Sequence, residues 1–175
     1  MEKMYFVIFM ITCAVFEATV IGCPSSCICT NTDVSCKERS LTTVPLDIPT
    51  STKTLNLRNN NITRIDANSF KGLSALTKLD LENNNITKID ANTFARLSTL
   101  TELNLRNNNI TRIDANLFKG LSALTKLDLE NNNITKIDAN TFARLSTLTE
   151  LNLRINYITR IDANLFKGLS ALTQL

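Results

Sequence analysis

The chain has 175 residues, 43% of them hydrophobic and 20% charged, which suits one domain of ordinary size. It contains no His and no Trp, so the commonest general base and the commonest metal ligand are both missing. The net charge of +3 supplies no basic field of the kind that argues for nucleic acid.

Residues 1–22 read as a targeting segment. "MEK" is a short n-region with one lysine, "MYFVIFMITCAVF" is an apolar run, and Val20 and Gly22 take the small-residue positions before a cleavage point. Such a run falls short of the roughly 20 apolar residues that span a bilayer. The expectation is a cleaved signal peptide, cut between Ala18 and Gly22, and no membrane span in the mature chain. A retained anchor or a buried strand are the alternatives. Cleavage leaves 18 basic and 14 acidic side chains, a mature charge of +4.

Residues 23–51 hold the remaining cysteines once Cys13 has left with the signal. Cys23, Cys27, Cys29 and Cys36 are even in number and lie close together just past a secretory signal. They read as two disulfides formed in an oxidising compartment. A zinc site is the weaker reading, because paired CxxC knuckles and His are absent. Four cysteines allow three pairings, and spacing alone does not choose among them.

From residue 52 the chain repeats with a period of 24. Leu55, Leu79, Leu103, Leu127, Leu151 and Leu175 form one column, and Leu57 heads a second. Asn60, Asn84, Asn108, Asn132 and Asn156 form a third, followed by an Ile column from Ile62 and a Phe column from Phe70. The consensus is LxxLxLxxNxIxxIxxxxFxxLxx, a period and signature of stacked supersecondary units. Five full units occupy 52–171 and a sixth begins at Leu172. In each, "LxL" alternates with period two and predicts a short strand with its leucines inward. Stacked strands make a parallel sheet. The Asn column sits where the chain turns inside the coil, and its amides can satisfy backbone groups of their own and adjacent turns. "IDANxFKGLSA" returns the chain along the outer side, with each Phe stacked on the next and Asp66 and its equivalents capping a short helical turn. A longer period is superimposed, because "LTKLDLENNNITKIDANTFARLST" occurs identically at 76–99 and 124–147. The array is therefore a super-repeat of two sister units, with twice the basic period.

The cysteine segment "CPSSCICTNTDVSC", the passage "SLTTVPLDIPTSTKTLNLRNNNIT" and the repeats together resemble the extracellular leucine-rich repeat proteins with an N-terminal cysteine cap. Slit-type guidance proteins, variable lymphocyte receptors, Toll-like ectodomains and small matrix proteoglycans are of this kind. The resemblance covers 23–175. It implies an α/β leucine-rich repeat solenoid, a curved right-handed coil with a parallel sheet on the concave face and irregular or short helical turns on the convex face. It further implies the pairs Cys23–Cys29 and Cys27–Cys36, in a cap over the first repeat's open end. The family usually closes with a second cysteine cap, whereas Leu172 and Leu175 stand here at an open edge. The expectation is a truncated product, a fragment, or a subunit that self-associates end to end.

Residues flanking the inward leucines face out on the concave side. One column runs Arg58, Glu82, Arg106, Glu130, Arg154, another Lys78, Glu102, Lys126, Glu150, and a third Asn56, Asp80, Asn104, Asp128, Asn152. Strands lie about 4.8 Å apart, so each charge meets an opposite sign in the next repeat, at roughly 0.2–1 kcal/mol per pair. This checkerboard reads first as a self-satisfied face and second as a ligand platform. "NIT" makes N-glycosylation acceptors of Asn61, Asn85, Asn109 and Asn133, stacked so closely that partial occupancy is expected. Repeat five reads "RINYITR" where its sister reads "RNNNITR". Asn156 stays for structure, while Ile155 and Tyr157 should face outward. Tyr157 removes the acceptor, and the two place an aliphatic–aromatic pair on otherwise polar ground, as interface anchors do, with drift near a chain end or contact with a next repeat as the alternative.

These features make an enzyme the weakest class, and they imply no catalytic residue, metal or cofactor. The leading reading is a secreted or cell-surface module that binds an extracellular protein ligand or receptor on its concave face, in adhesion, guidance or immune recognition. A structural matrix component and a truncated receptor ectodomain are the alternatives.

Overall fold

The computed structural model describes residues 22–175. The expected targeting segment and Cys13 lie outside the described residues. Eleven short strands follow one another: β1 Ile28–Thr30, β2 Asp33–Ser35, β3 Thr54–Asn56, β4 Arg64–Ile65, β5 Lys78–Asp80, β6 Lys88–Ile89, β7 Glu102–Asn104, β8 Arg112–Ile113, β9 Lys126–Asp128, β10 Lys136–Ile137 and β11 Glu150–Asn152. Seven of them form one sheet in the order β1-β2-β3-β5-β7-β9-β11. The first pair is antiparallel and every later pair parallel, with Leu55, Leu79, Leu103, Leu127 and Leu151 in register. The result is a parallel-strand solenoid of about five turns.

The short strands are what the LxL pattern permits. The strand leucine and the leucine two places on both point inward, as Leu55 and Leu57 do at 0% exposure. The Ile and Phe columns close the core from the other side. Phe70, Phe94, Phe118, Phe142 and Phe166 stack with ring centroids 6.0 to 6.4 Å apart. Each repeat buries little by itself and acquires a core only between neighbours.

Each ladder Asn binds two repeats together. The Asn108 amide donates to Leu81 O at 3.0 Å and Leu105 O at 3.1 Å, and its Oδ1 accepts the Ile86 N–H at 3.0 Å. Asn60, Asn84, Asn132 and Asn156 bridge the same way, Asn60 to the carbonyl of Cys36 in the cap. Among the described residues no buried side-chain polar atom lacks a partner.

The cap holds the disulfides Cys23–Cys29 and Cys27–Cys36, and β2 hands the sheet to β3 by pairing Val34 with Leu55. On the outer side the chain is made of irregular turns, and no helix occurs among the described residues. Asp66 therefore caps no helical turn. Its carboxylate pairs with Arg64 at 2.9 Å, and its N–H donates to Ser69 Oγ. The return segments of the first four repeats are also drawn into pairing, β4 with β6 and β8 with β10, which holds them extended up to the turn.

Candidate functional site

The concave side of β3, β5, β7, β9 and β11 forms an open trough of about 570 Å³, from Thr54 and Asn56 at one end to Arg154 and Gln174 at the other. The pleat decides what lines it. Strand leucines point into the core, so the alternate positions project into the trough. Lys78, Asp80, Glu102, Asn104, Lys126, Asp128, Glu150, Asn152 and Arg154 line it, whereas Glu82, Arg106 and Glu130, expected on the same face, do not.

The charges do not form a continuous checkerboard. They form separate pairs: Arg58–Glu82 at 2.9 Å, Lys78–Glu102 at 3.0 Å, Arg106–Glu130 at 2.9 Å and Lys126–Glu150 at 2.8 Å. Each cation reaches toward the following repeat. Glu82 is 9% exposed and Glu130 6%, and each also takes an amide from the repeat beyond, Asn104 at 3.1 Å and Asn152 at 2.8 Å. Both contacts fall on the same oxygen, Oε2, of each glutamate. The central column behaves differently. Asn56, Asn104 and Asn152 turn Oδ1 back onto the N–H two residues later, and Asp80 and Asp128 do the same to Glu82 and Glu130. Burial holds both aspartate carboxyls above their usual range, offset in part by those N–H groups. Asp80 and Asp128 have no ion pair among the described residues, so they and Arg154 carry the uncompensated charge of the trough.

Ile155 and Tyr157 are 64% and 66% exposed, but they do not line the trough. Both lie past the end of β11, on the rim where the chain leaves the sheet, because the strand stops at Asn152. The rim also contains a feature that the sequence reading missed. Asn59, Asn83, Asn107 and Asn131 have left-handed backbone, φ 56°, 55°, 53° and 53°. Their amides form a second ladder: Asn83 to Asn59 at 2.8 Å, Asn107 to Asn83 at 2.6 Å and Asn131 to Asn107 at 2.8 Å. Asn59 donates in turn to Glu38 of the cap at 3.1 Å. The signal was the first Asn of each "NNN", since Asn is the residue besides Gly that best tolerates this conformation. Ile155 occupies the equivalent place with φ 53°, an outlier for a β-branched side chain. Asn61, Asn85, Asn109 and Asn133 are exposed on the same rim.

The repeats match a family model described as Leucine rich repeat over residues 50–110, 75–134, 98–154 and 122–175. A second, Leucine rich repeat N-terminal domain, matches 22–49. Among curated relatives, human vasorin is 48% identical over 61 residues, which are 34% of this chain and 9% of that protein. Bovine asporin is 42% identical over 57 residues, 33% of this chain and 15% of that protein. The rat Leucine-rich repeat-containing protein 4 is 41% identical over 75 residues, 39% of this chain and 12% of that protein. A solved structure titled as a TLR13–ssRNA13 complex superposes with TM-score 0.77 and 36% identity, over 84% of this chain and 22% of that one. The chain thus spans a small fraction of the proteins it matches.

Proposed function

Because the chain belongs to the extracellular leucine-rich repeat family with an N-terminal cysteine cap, we propose that it is an extracellular recognition module whose concave face binds a protein ligand. The observation that carries this reading is the 570 Å³ trough. Its floor is rigid, since every strand is pinned to its neighbours. Its charges are largely paired in advance, so a partner need not desolvate many isolated ions. Curved solenoids use such concave surfaces for binding. Arg154 at the end of the trough, with Tyr157 on the adjoining rim, belongs to residue types that dominate interface energy, and this corner is the proposed anchor. The disulfide cap and extracellular relatives support a secreted or cell-surface location.

The test is a binding screen of the secreted chain against purified cell-surface and matrix ectodomains, followed by mapping. Lys78→Glu with Lys126→Glu should weaken the captured ligand about tenfold or more, because like charges across an interface are costly. Ser98→Glu, on the outer turns, should leave it unchanged. A ligand indifferent to the concave pair and lost with Ser98→Glu would reverse the assignment.

A further inference from the structure

We propose that the convex face is a second binding surface, a basic stripe that docks one linear sulfated glycosaminoglycan chain. Each repeat carries one cation on its outer turn: Lys71, Arg96, Lys119, Arg144 and Lys167. All five are exposed, and among the described residues none takes part in an ion pair. The acids of the first four return segments are already engaged, while the Asp162 carboxylate in the fifth accepts only the Asn164 N–H among the described residues. Asp66 and Asp90 are held by Arg64, and Asp114 and Asp138 by Arg112. The stripe accounts for the charge of the mature chain. Its five cations compare with a net +4, so the rest of the protein is close to neutral. The whole-chain charge, with its interleaved signs, concealed this segregation.

The packing makes the stripe continuous. The turns advance with the Phe stack, whose rings are 6.0 to 6.4 Å apart. Lys–Gly turns alternate with Ala–Arg turns. A Cβ on Gly120 would come within 2.3 Å of Ala95 O, and one on Gly168 within 2.5 Å of Ala143 O. Each Lys–Gly turn therefore sits tight on the Ala–Arg turn before it, which brings Arg96 beside Lys119 and Arg144 beside Lys167. Lys119 and Arg144 flank a shared depression of about 340 Å³, also lined by Asn116, Asn140 and Thr141. A row of cations with the exposed amides of Asn116 and Asn140 between two of them can meet the sulfates and hydroxyls of an anionic polysaccharide. A single-stranded nucleic acid fits less well. Base stacking needs exposed aromatic faces, and the phenylalanines beneath the stripe are packed on one another.

The experiment measures the affinity of the secreted full chain for heparin across a salt series. Arg96→Gln/Lys119→Gln/Arg144→Gln removes three stripe cations. Arg39→Gln/Lys53→Gln/Arg160→Gln removes three exposed cations elsewhere and lowers the net charge equally. The stripe variant should bind about tenfold or more weakly at physiological salt, and the slope of log affinity against log salt should fall by about three, one per lost contact. The control should stay within about twofold of the parent, against that per-contact expectation. If the triple variant does not fold, the single substitutions test the same point, each lowering the slope by about one. Equal losses in both triples, no loss in the stripe variant, no heparin binding by the parent, or preference for single-stranded RNA over heparin would each overturn the proposal.

Discussion

Ile155→Asn should stabilise the protein, although it replaces an apolar residue with a polar one. Ile155 holds φ 53°, and non-Gly residues in such regions carry about 1–3 kcal/mol of strain. Asn relieves part of it, because its short polar side chain tolerates this region. The new amide would also donate to Asn131 Oδ1 and extend the rim ladder by one rung, for about 0.5 kcal/mol in so exposed a place. The loss is small. Ile155 is 64% exposed, so truncating it forfeits under about 1 kcal/mol of burial. The balance is a gain of about 1–2 kcal/mol, or roughly 2–8 °C in Tm for a chain of this size. Urea unfolding should show a higher midpoint at unchanged m-value, and exchange of the amides around Leu151–Ile158 should slow. Ile155→Gly separates the two terms, since it relieves strain without supplying a rung and should gain less than Asn. Ile155→Val keeps the branched Cβ and should match the parent. A midpoint for Ile155→Asn at or below that of the parent would refute the strain argument.

Three further outcomes follow from the geometry. Asn108→Leu should cost about 3–5 kcal/mol in chemical denaturation, because Leu81 O, Leu105 O and the Ile86 N–H lose their buried partner together. Asp80→Asn with Asp128→Asn should raise stability at neutral pH. Both carboxyls are held above their usual range in the folded state, so the folded chain binds their protons more tightly than the unfolded one and these groups lose stability as pH rises through that range. The advantage of the double variant should therefore vanish as pH falls below it, and an advantage that persisted in acid would contradict this. Glycosidase treatment in water enriched in the heavy oxygen isotope should label some of Asn61, Asn85, Asn109 and Asn133 as they become Asp, with fewer than all four occupied. Complete occupancy would defeat the crowding argument, and no label would remove the acceptor role itself.

Much of the architecture was legible because periodicity reports on burial. Leu55, Ile62 and Phe70 recur once in every repeat and are buried wherever a following repeat covers them. Asn60 was legible for the same reason, as a polar residue fixed in an apolar register. The cap disulfides came from the family resemblance rather than from spacing. Three features were hidden. Asn59 and Asn61 look alike in "NNN", yet one is left-handed and bonded to the next repeat while the other stands free, and only backbone dihedrals separate them. Arg106 has a glutamate in each neighbouring repeat, and side-chain reach decides that it takes Glu130 and not Glu82. Flanking the inward Asn156 marks Ile155 and Tyr157 as outward, but it does not reveal that the strand ends at Asn152 and leaves them on the rim.

The one-directional pairing restricts how such an array can change in length. Excising a single unit, for example 76–99, would bring Arg58 against Arg106 and set one Lys–Gly turn upon another. Like charges would then face each other on the sheet, and on the outer side the small alanine contact that Gly120 requires would be gone. Excising two consecutive units rejoins Arg to Glu, Lys to Glu and glycine to alanine, with every cross-repeat contact restored. Unequal crossing-over in the gene can thus shorten or lengthen this solenoid cleanly only in steps of two repeats. The identical blocks at 76–99 and 124–147 are spaced by one such step.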